Sequence, residues 1–120
     1  MRINFTLDCN DLDRQARFWS AVLAFPAEEV VAGSYVALTG PAFALTLQGV
    51  PEPKTTKNRM HLDLLVADLD AESARIEALG ATRITPVPLE MYGERWLVLA
   101  DPEGNEFCLG IDPDVVQSGR

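Results

Sequence analysis

Residues 4–13 read NFTLDCNDLD and residues 61–70 read HLDLLVADLD. A leucine, an Asp-Leu-Asp triplet and a polar/apolar alternation recur at a constant offset of 57. Each stretch alternates like a half-buried strand and then meets a helix start. Asp11 and Asp68 are placed to accept from the free N–H groups of the first helical turn. The first helix is expected to run to about Leu23 on a stripe of Leu12, Ala16, Trp19 and Leu23. The second should run to about Leu79 on Leu69, Ser73, Ile76 and Leu79, with Gly80 as a left-handed cap.

The repeat continues beyond the helices. YVALTG from Tyr35 parallels WLVLAD from Trp96, and FALTLQ from Phe43 parallels EFCLGI from Glu106. Each pair reads as a hairpin, turning through GPA in one half and DPEGN in the other. A weaker extended stretch precedes each hairpin, EEVVAG near Glu28 and ATRIT near Ala81. Val50 to Arg59, VPEPKTTKNR, is polar and Pro-containing and reads as a linker. The expectation is one α+β domain over residues 1–120, built from two βαβββ modules at about 1–50 and 59–115. A module of roughly sixty residues supports a core poorly alone, so the two should share one curved mixed sheet with helices on its convex face.

Alternation then assigns faces. Ile3, Phe5 and Leu7 oppose Asn4, Thr6 and Asp8. Leu45 and Leu47 oppose Thr46 and Gln48. Leu62, Leu64 and Val66 oppose His61 and Asp63, and Phe107 and Leu109 oppose Glu106 and Cys108. With helices on the apolar side, Asn4, Thr6, Asp8, Thr46, Gln48, His61, Asp63, Glu106 and Cys108 fall on the concave side and make a candidate pocket. A sheet edge meeting water is the simpler account of Thr6 and Glu106. PVPLEMYGERW, Pro86 to Trp96, is expected to cap that pocket with Met91, Tyr92 and Trp96, which can stack on a flat or cationic ligand. The simpler alternative puts Trp96 in the core and Tyr92 on the surface; Trp19 is core.

Composition narrows the partners. The formal net charge is −8 and the ten basic residues are scattered. Nucleic acid is therefore excluded as an expected partner, and cationic small molecules are favoured over anionic ones. No segment is apolar for long enough to span a membrane. MRINFTLDCN turns polar too soon for a signal peptide, so a cytoplasmic protein is expected. Cys9 and Cys108 match no zinc spacing and read as free thiols, each a small hydrophobe in the plainest account.

The paired modules, together with NDLDRQARFWSAVLAF, HLDLLVADLDAESARIEALGA and DPEGNEFCL, resemble the vicinal oxygen chelate superfamily. This group includes glyoxalase I, bleomycin resistance proteins and extradiol dioxygenases. The likeness covers nearly the whole chain, and the small bacterial glyoxalase-like proteins are the nearest in character. It implies that enzymes of the group hold a divalent metal with one side chain from the first and one from the last strand of each module, usually His, Gln or Glu. These positions fall on Asn4, Thr46, His61 and Cys108; sliding one pair along would replace Thr46 by Gln48. Only His61 is a strong ligand by type, so the metal site is read as degenerate and no cofactor is expected.

Three functions follow. The first is metal-free binding of a cationic or aromatic small molecule, as bleomycin resistance proteins bind a cationic drug. The second is a metal-free enzyme with His61 and Asp63 as acid/base and Cys108 as nucleophile or proton carrier. The third is a metal-dependent lyase, isomerase or dioxygenase. The resemblance also implies a homodimer.

Overall fold

A computed structural model describes residues 1, 3–91 and 93–112. The elements run β1 (Asn4–Cys9), α1 (Leu12–Leu23), β2 (Ala27–Val31), β3 (Tyr35–Thr39) and β4 (Ala44–Gly49), then β5 (Asp63–Val66), α2 (Leu69–Leu79), β6 (Thr82–Arg83), β7 (Leu89–Met91), β8 (Glu94–Ala100) and β9 (Glu106–Ile111). This is the mixed α+β arrangement that the sequence repeat implies. Its strands pair as two mixed sheets, ordered β1-β4-β3-β2 and β5-β9-β8-β6, with β7 added to β8. The chain divides into two compact units, Met1–Thr55 and Thr56–Arg120, and each holds one sheet.

In the first unit, Asp11 caps α1 by accepting from Arg14 N at 3.1 Å. The buried stripe of α1 is Gln15, Ala16, Phe18, Trp19 and Val22. Leu12 and Leu23, expected on it, are only half-buried. The stripe packs against β3 and β4, where Val36, Leu38, Leu45 and Leu47 are buried. Phe18 and Trp19 meet edge to face at 5.2 Å. The helix stops on Ala24, which takes a left-handed φ of 57° and donates its N–H to the Ser20 carbonyl. That conformation suits glycine better than alanine.

The second unit repeats the plan with one strand more than the expected three after its helix, the short β7. Asp68 caps α2 by accepting from Ala71 N at 3.0 Å. Leu69, Ser73 and Ile76 are buried, whereas Leu79 is 40% exposed. Gly80 has a positive φ of 127° but lies outside the left-handed helical region that the cap was expected to occupy. Leu97, Leu99, Phe107 and Leu109 complete the core. The stretch expected to be a capping loop is instead a hairpin. Leu89 pairs with Trp96 and Met91 with Glu94, and Gly93 turns the chain at a φ of 76°.

The β8–β9 turn is pinned by a buried carboxylate. Asp101, 3% exposed, accepts at Oδ1 from Glu103 N and Asn105 N, each at 2.9 Å. Asn105 Nδ2 donates to both of its oxygens, at 3.0 and 2.9 Å. Asn58 Nδ2 donates to Asn105 Oδ1 at 3.2 Å, tying the linker to the turn. This lock sets the register of β9, which carries Cys108.

Candidate functional site

In the first unit β1 runs parallel to β4, with Thr6 opposite Thr46 and Asp8 opposite Gln48. In the second, β5 runs parallel to β9, with Asp63 opposite Cys108. Thr6 and Asp63 are 57 residues apart, the repeat offset. The register therefore equates Thr46, rather than Gln48, with Cys108. Burial alternates as expected along β1, with Asn4, Thr6 and Asp8 exposed. Cys9 falls on the opposite parity, is 2% exposed, and its thiol donates to the Gln48 carbonyl at 3.6 Å. It is a core residue.

Asn4 and Thr46 engage each other. The Asn4 amide donates from Nδ2 to Thr46 Oγ1 at 2.9 Å, and the Thr46 hydroxyl donates back to Asn4 Oδ1 at 3.1 Å. The two side chains form a closed polar pair on the open face of the first sheet.

The second unit brings three chemically active groups together. His61 Nε2 lies 3.3 Å from Asp63 Oδ1. The ligand atoms of His61, Asp63 and Cys108 all lie within 4.8 Å of one another. The backbone explains the convergence. Asp63 and Cys108 stand directly opposite each other on neighbouring strands, so their side chains share a face. Cys108 N donates to the Leu62 carbonyl at 2.9 Å, which extends the parallel pairing one residue beyond β5 and holds His61 at its mouth. His61 and Asp63 remain substantially exposed, at 44% and 62% of their side-chain surface, and Cys108 is half-buried.

Burial pushes the Cys108 thiol above its ordinary pKa, and the Asp63 charge and a hydrogen bond to Asp63 add to the rise. Glu106 pushes the same way and Lys57 opposes it. Lys57 Nζ is itself paired with Glu106 Oε2 at 3.0 Å. Asp63 thus stands between the imidazole and the thiol. The order differs from a nucleophilic triad, in which the imidazole touches the thiol and takes its proton.

Cross-strand register adds residues that alternation along one strand does not reveal. Trp96 lies opposite Gly110 and Val98 opposite Cys108, while Leu65 lies opposite Gly110 from the other side. These side chains share the Cys108 face. Leu65 is 59% exposed and Trp96 is half-buried. A Cβ on Gly110 would sit 3.5 Å from Leu65 Cδ2 and 3.9 Å from Trp96 Cβ. The missing side chain leaves a shallow apolar step beside the polar cluster. Leu65 and Lys57 were missed by sequence reasoning. Leu65 has the parity of His61 and Asp63, a signal hidden by the run Leu64-Leu65-Val66. Tyr92 lies outside the described residues.

The four metal positions implied by the family likeness do not fit a hard divalent ion. Asn4 and Thr46 are neutral, weak donors already bonded to each other. Cys108 is held towards its protonated form. His61 alone is a strong donor of the type such sites use.

The glyoxalase-like domain family profile matches residues 4–110. An uncharacterised protein of Mycobacterium bovis is 39% identical over 49 residues, covering 41% of this chain and 32% of that protein. The chain thus matches about a third of the length of its curated relatives. Among solved structures, a glyoxalase/bleomycin resistance protein/dioxygenase family enzyme from Burkholderia phytofirmans superposes with a TM-score of 0.77 at 20% identity, over 90% of this chain and 95% of that one. A glyoxalase/bleomycin resistance protein from Albidiferax ferrireducens gives 0.70 at 24% identity, over 92% and 97%. The fosfomycin resistance protein FosX from Mesorhizobium loti gives 0.70 at 20% identity, over 93% and 92%. With a profile match over most of its length, the chain belongs to the glyoxalase-like domain family, within the glyoxalase/bleomycin resistance/dioxygenase fold group.

Proposed function

We propose that this protein binds a cationic, aromatic small molecule on the face formed by His61, Asp63, Cys108 and Trp96, without the four-ligand metal centre of the family's enzymes. The observation that carries the reading is the closed Asn4–Thr46 pair, which occupies both first-module ligand positions with a mutual hydrogen-bonded contact. Asp63 supplies an exposed carboxylate for a cation. Trp96 and Leu65 supply an apolar surface beside it, and an aromatic face attracts a cation directly. The net charge of −8 adds long-range attraction. Glu106, two residues before Cys108 on β9, is a further polar residue of this face.

A second reading has its own support. The 3.3 Å contact between His61 and Asp63 is the geometry of an oriented general base. In that reaction class the imidazole takes a proton from a bound substrate and Asp63 stabilises the resulting imidazolium. Two free thiols fit a reducing, cytoplasmic setting, and a two-fold homodimer is the expected assembly.

The test is a thermal-shift screen of cationic and aromatic compounds, run in excess chelator. A hit at a hundred times its Kd stabilises by about 2.7 kcal/mol, a rise of several degrees. The rise should vanish in Asp63→Asn and survive in Asn4→Ala. No hit, or a hit that needs added metal, defeats the proposal.

A further inference from the structure

We propose that Gly110 sets the ligand class of this face. The gap left by its missing side chain takes the rim of one flat aromatic ring, while Asp63 holds an ammonium group further along the same ladder. The ligand class is a primary arylalkylamine, a single ring joined to the amine by a short arm. This inference rests on the binding reading above and narrows it.

Gly110 is a glycine without a backbone reason. It does not share the positive φ of Gly33, Gly80, Gly93 and Gly104. A Cβ on it would meet Leu65 Cδ2 at 3.5 Å and Trp96 Cβ and the Arg95 carbonyl at 3.9 Å, all ordinary contacts. A Cβ on Gly40, by contrast, would run into the Phe25 ring. Gly110 lies inside β9, where glycine weakens a strand and often marks the close approach of a ligand. Alanine would fit, so the empty space is what sets the position apart. The duplication supplies an internal comparison. Thr46 corresponds to Cys108, so Gln48 corresponds to Gly110. On that rung of the first unit Gln48 stands between Asp8 and Tyr35. In the second unit the middle side chain is missing, and Leu65 and Trp96 face each other across the gap.

The dimensions choose the occupant. A ligand carbon at the missing Cβ position touches both walls near the optimal carbon–carbon separation of about 3.5–4.0 Å. One layer of atoms therefore fits between Leu65 and Trp96. The rim of a planar ring enters; a puckered ring, thicker than one layer, does not. Asp63 stands opposite Cys108, two residues before the Leu65–Gly110 rung. A rise of about 3.3 Å per residue puts the ring rim and the charge roughly 6.5 Å apart. A carboxylate offers about four acceptor positions, so the contact with His61 leaves room for an ammonium group. Lys57 is already paired with Glu106 and adds no free positive charge to oppose it.

Amide chemical-shift titrations with phenethylamine and cyclohexylethylamine, in excess chelator, separate ring shape from charge. The two probes carry the same amine on the same arm. Phenethylamine should saturate, with shifts at Leu65, Gly110 and Trp96. It should bind at least about tenfold tighter than cyclohexylethylamine, a difference of about 1.4 kcal/mol. Gly110→Ala should cut that preference to less than about twofold, with a urea midpoint no lower than that of the unaltered protein. Asp63→Asn should weaken both amines together. The comparison of the two amines on the unaltered protein needs no variant to fold. Equal affinities, a preference that survives Gly110→Ala, shifts that bypass Leu65 and Gly110, or no binding of phenethylamine overturns the proposal. The wider reading fails separately, when no cationic or aromatic compound in the chelator-treated screen binds in a way that depends on Asp63.

Discussion

Replacing Asp101 by alanine should loosen the register on which the site depends. The carboxylate is 3% exposed and accepts from two backbone N–H groups and from the Asn105 amide. A hydrogen bond to a charged acceptor contributes about 1.5–3 kcal/mol, and a buried donor stripped of its partner costs about 1–3 kcal/mol. Glu103 N sits at the half-buried edge of the turn and water can replace part of its loss. Asn105 N and Asn105 Nδ2 lie in a 7% exposed residue and have no such recourse. The combined loss is roughly 3–4 kcal/mol, near the upper end for a point substitution. Asp101→Asn should fall between, because its amide nitrogen would face the Asn105 amide donor. Urea unfolding monitored by tryptophan fluorescence measures the change as a shift in midpoint at constant slope. A loss below about 1 kcal/mol in Asp101→Ala would refute the reasoning, since the turn would then hold its shape without the carboxylate.

Other outcomes follow from the same geometry. Alkylation of Cys108 should reach half-maximal rate at a pH above the ordinary thiol range, because burial and then Asp63 hold the proton on; Asp63→Asn should move that midpoint down and Lys57→Ala should move it up, as rate-against-pH profiles will show. The unfolded thiol ionises first, so the folded state's advantage from this group is complete below the ordinary thiol pKa and declines as pH rises to the folded value, which unfolding curves above pH 8 can follow. Ala24→Gly should stabilise by about 0.5–1 kcal/mol by relieving the left-handed φ of 57°, read as a small rise in urea midpoint. Asp68→Ala should cost about 1 kcal/mol through loss of the bond from Ala71 N, measured the same way.

The duplication was the most legible part of the chain. Periodicity found both helices because their caps are acidic side chains placed just before amphipathic runs, and Asp11 and Asp68 cap as expected. Alternation placed Asn4, Thr6 and Asp8 on the face of β1 opposite Phe5 and Leu7, and burial follows it. What sequence left open was set by pairing between distant strands. The choice between Thr46 and Gln48 needed the Thr6–Thr46 register. The apolar step around Gly110 needed two neighbouring strands to bring Leu65 and Trp96 to one residue. The hairpin at Leu89–Ala100 was hidden because two prolines and a glycine surround a three-residue strand. Donor types alone single out His61 as the one strong ligand by type among the four positions that the family likeness implies. They could not reveal that Asp63, outside those positions, stands between His61 and Cys108.

The most direct test of the account is an amide chemical-shift map of the protein with its best screening hit, recorded in excess chelator. Perturbations should centre on His61, Asp63, Cys108 and Trp96 and leave Asn4 and Thr46 in place. A map centred on Asn4 and Thr46, or one that appears only after a hard divalent metal is restored, would contradict it.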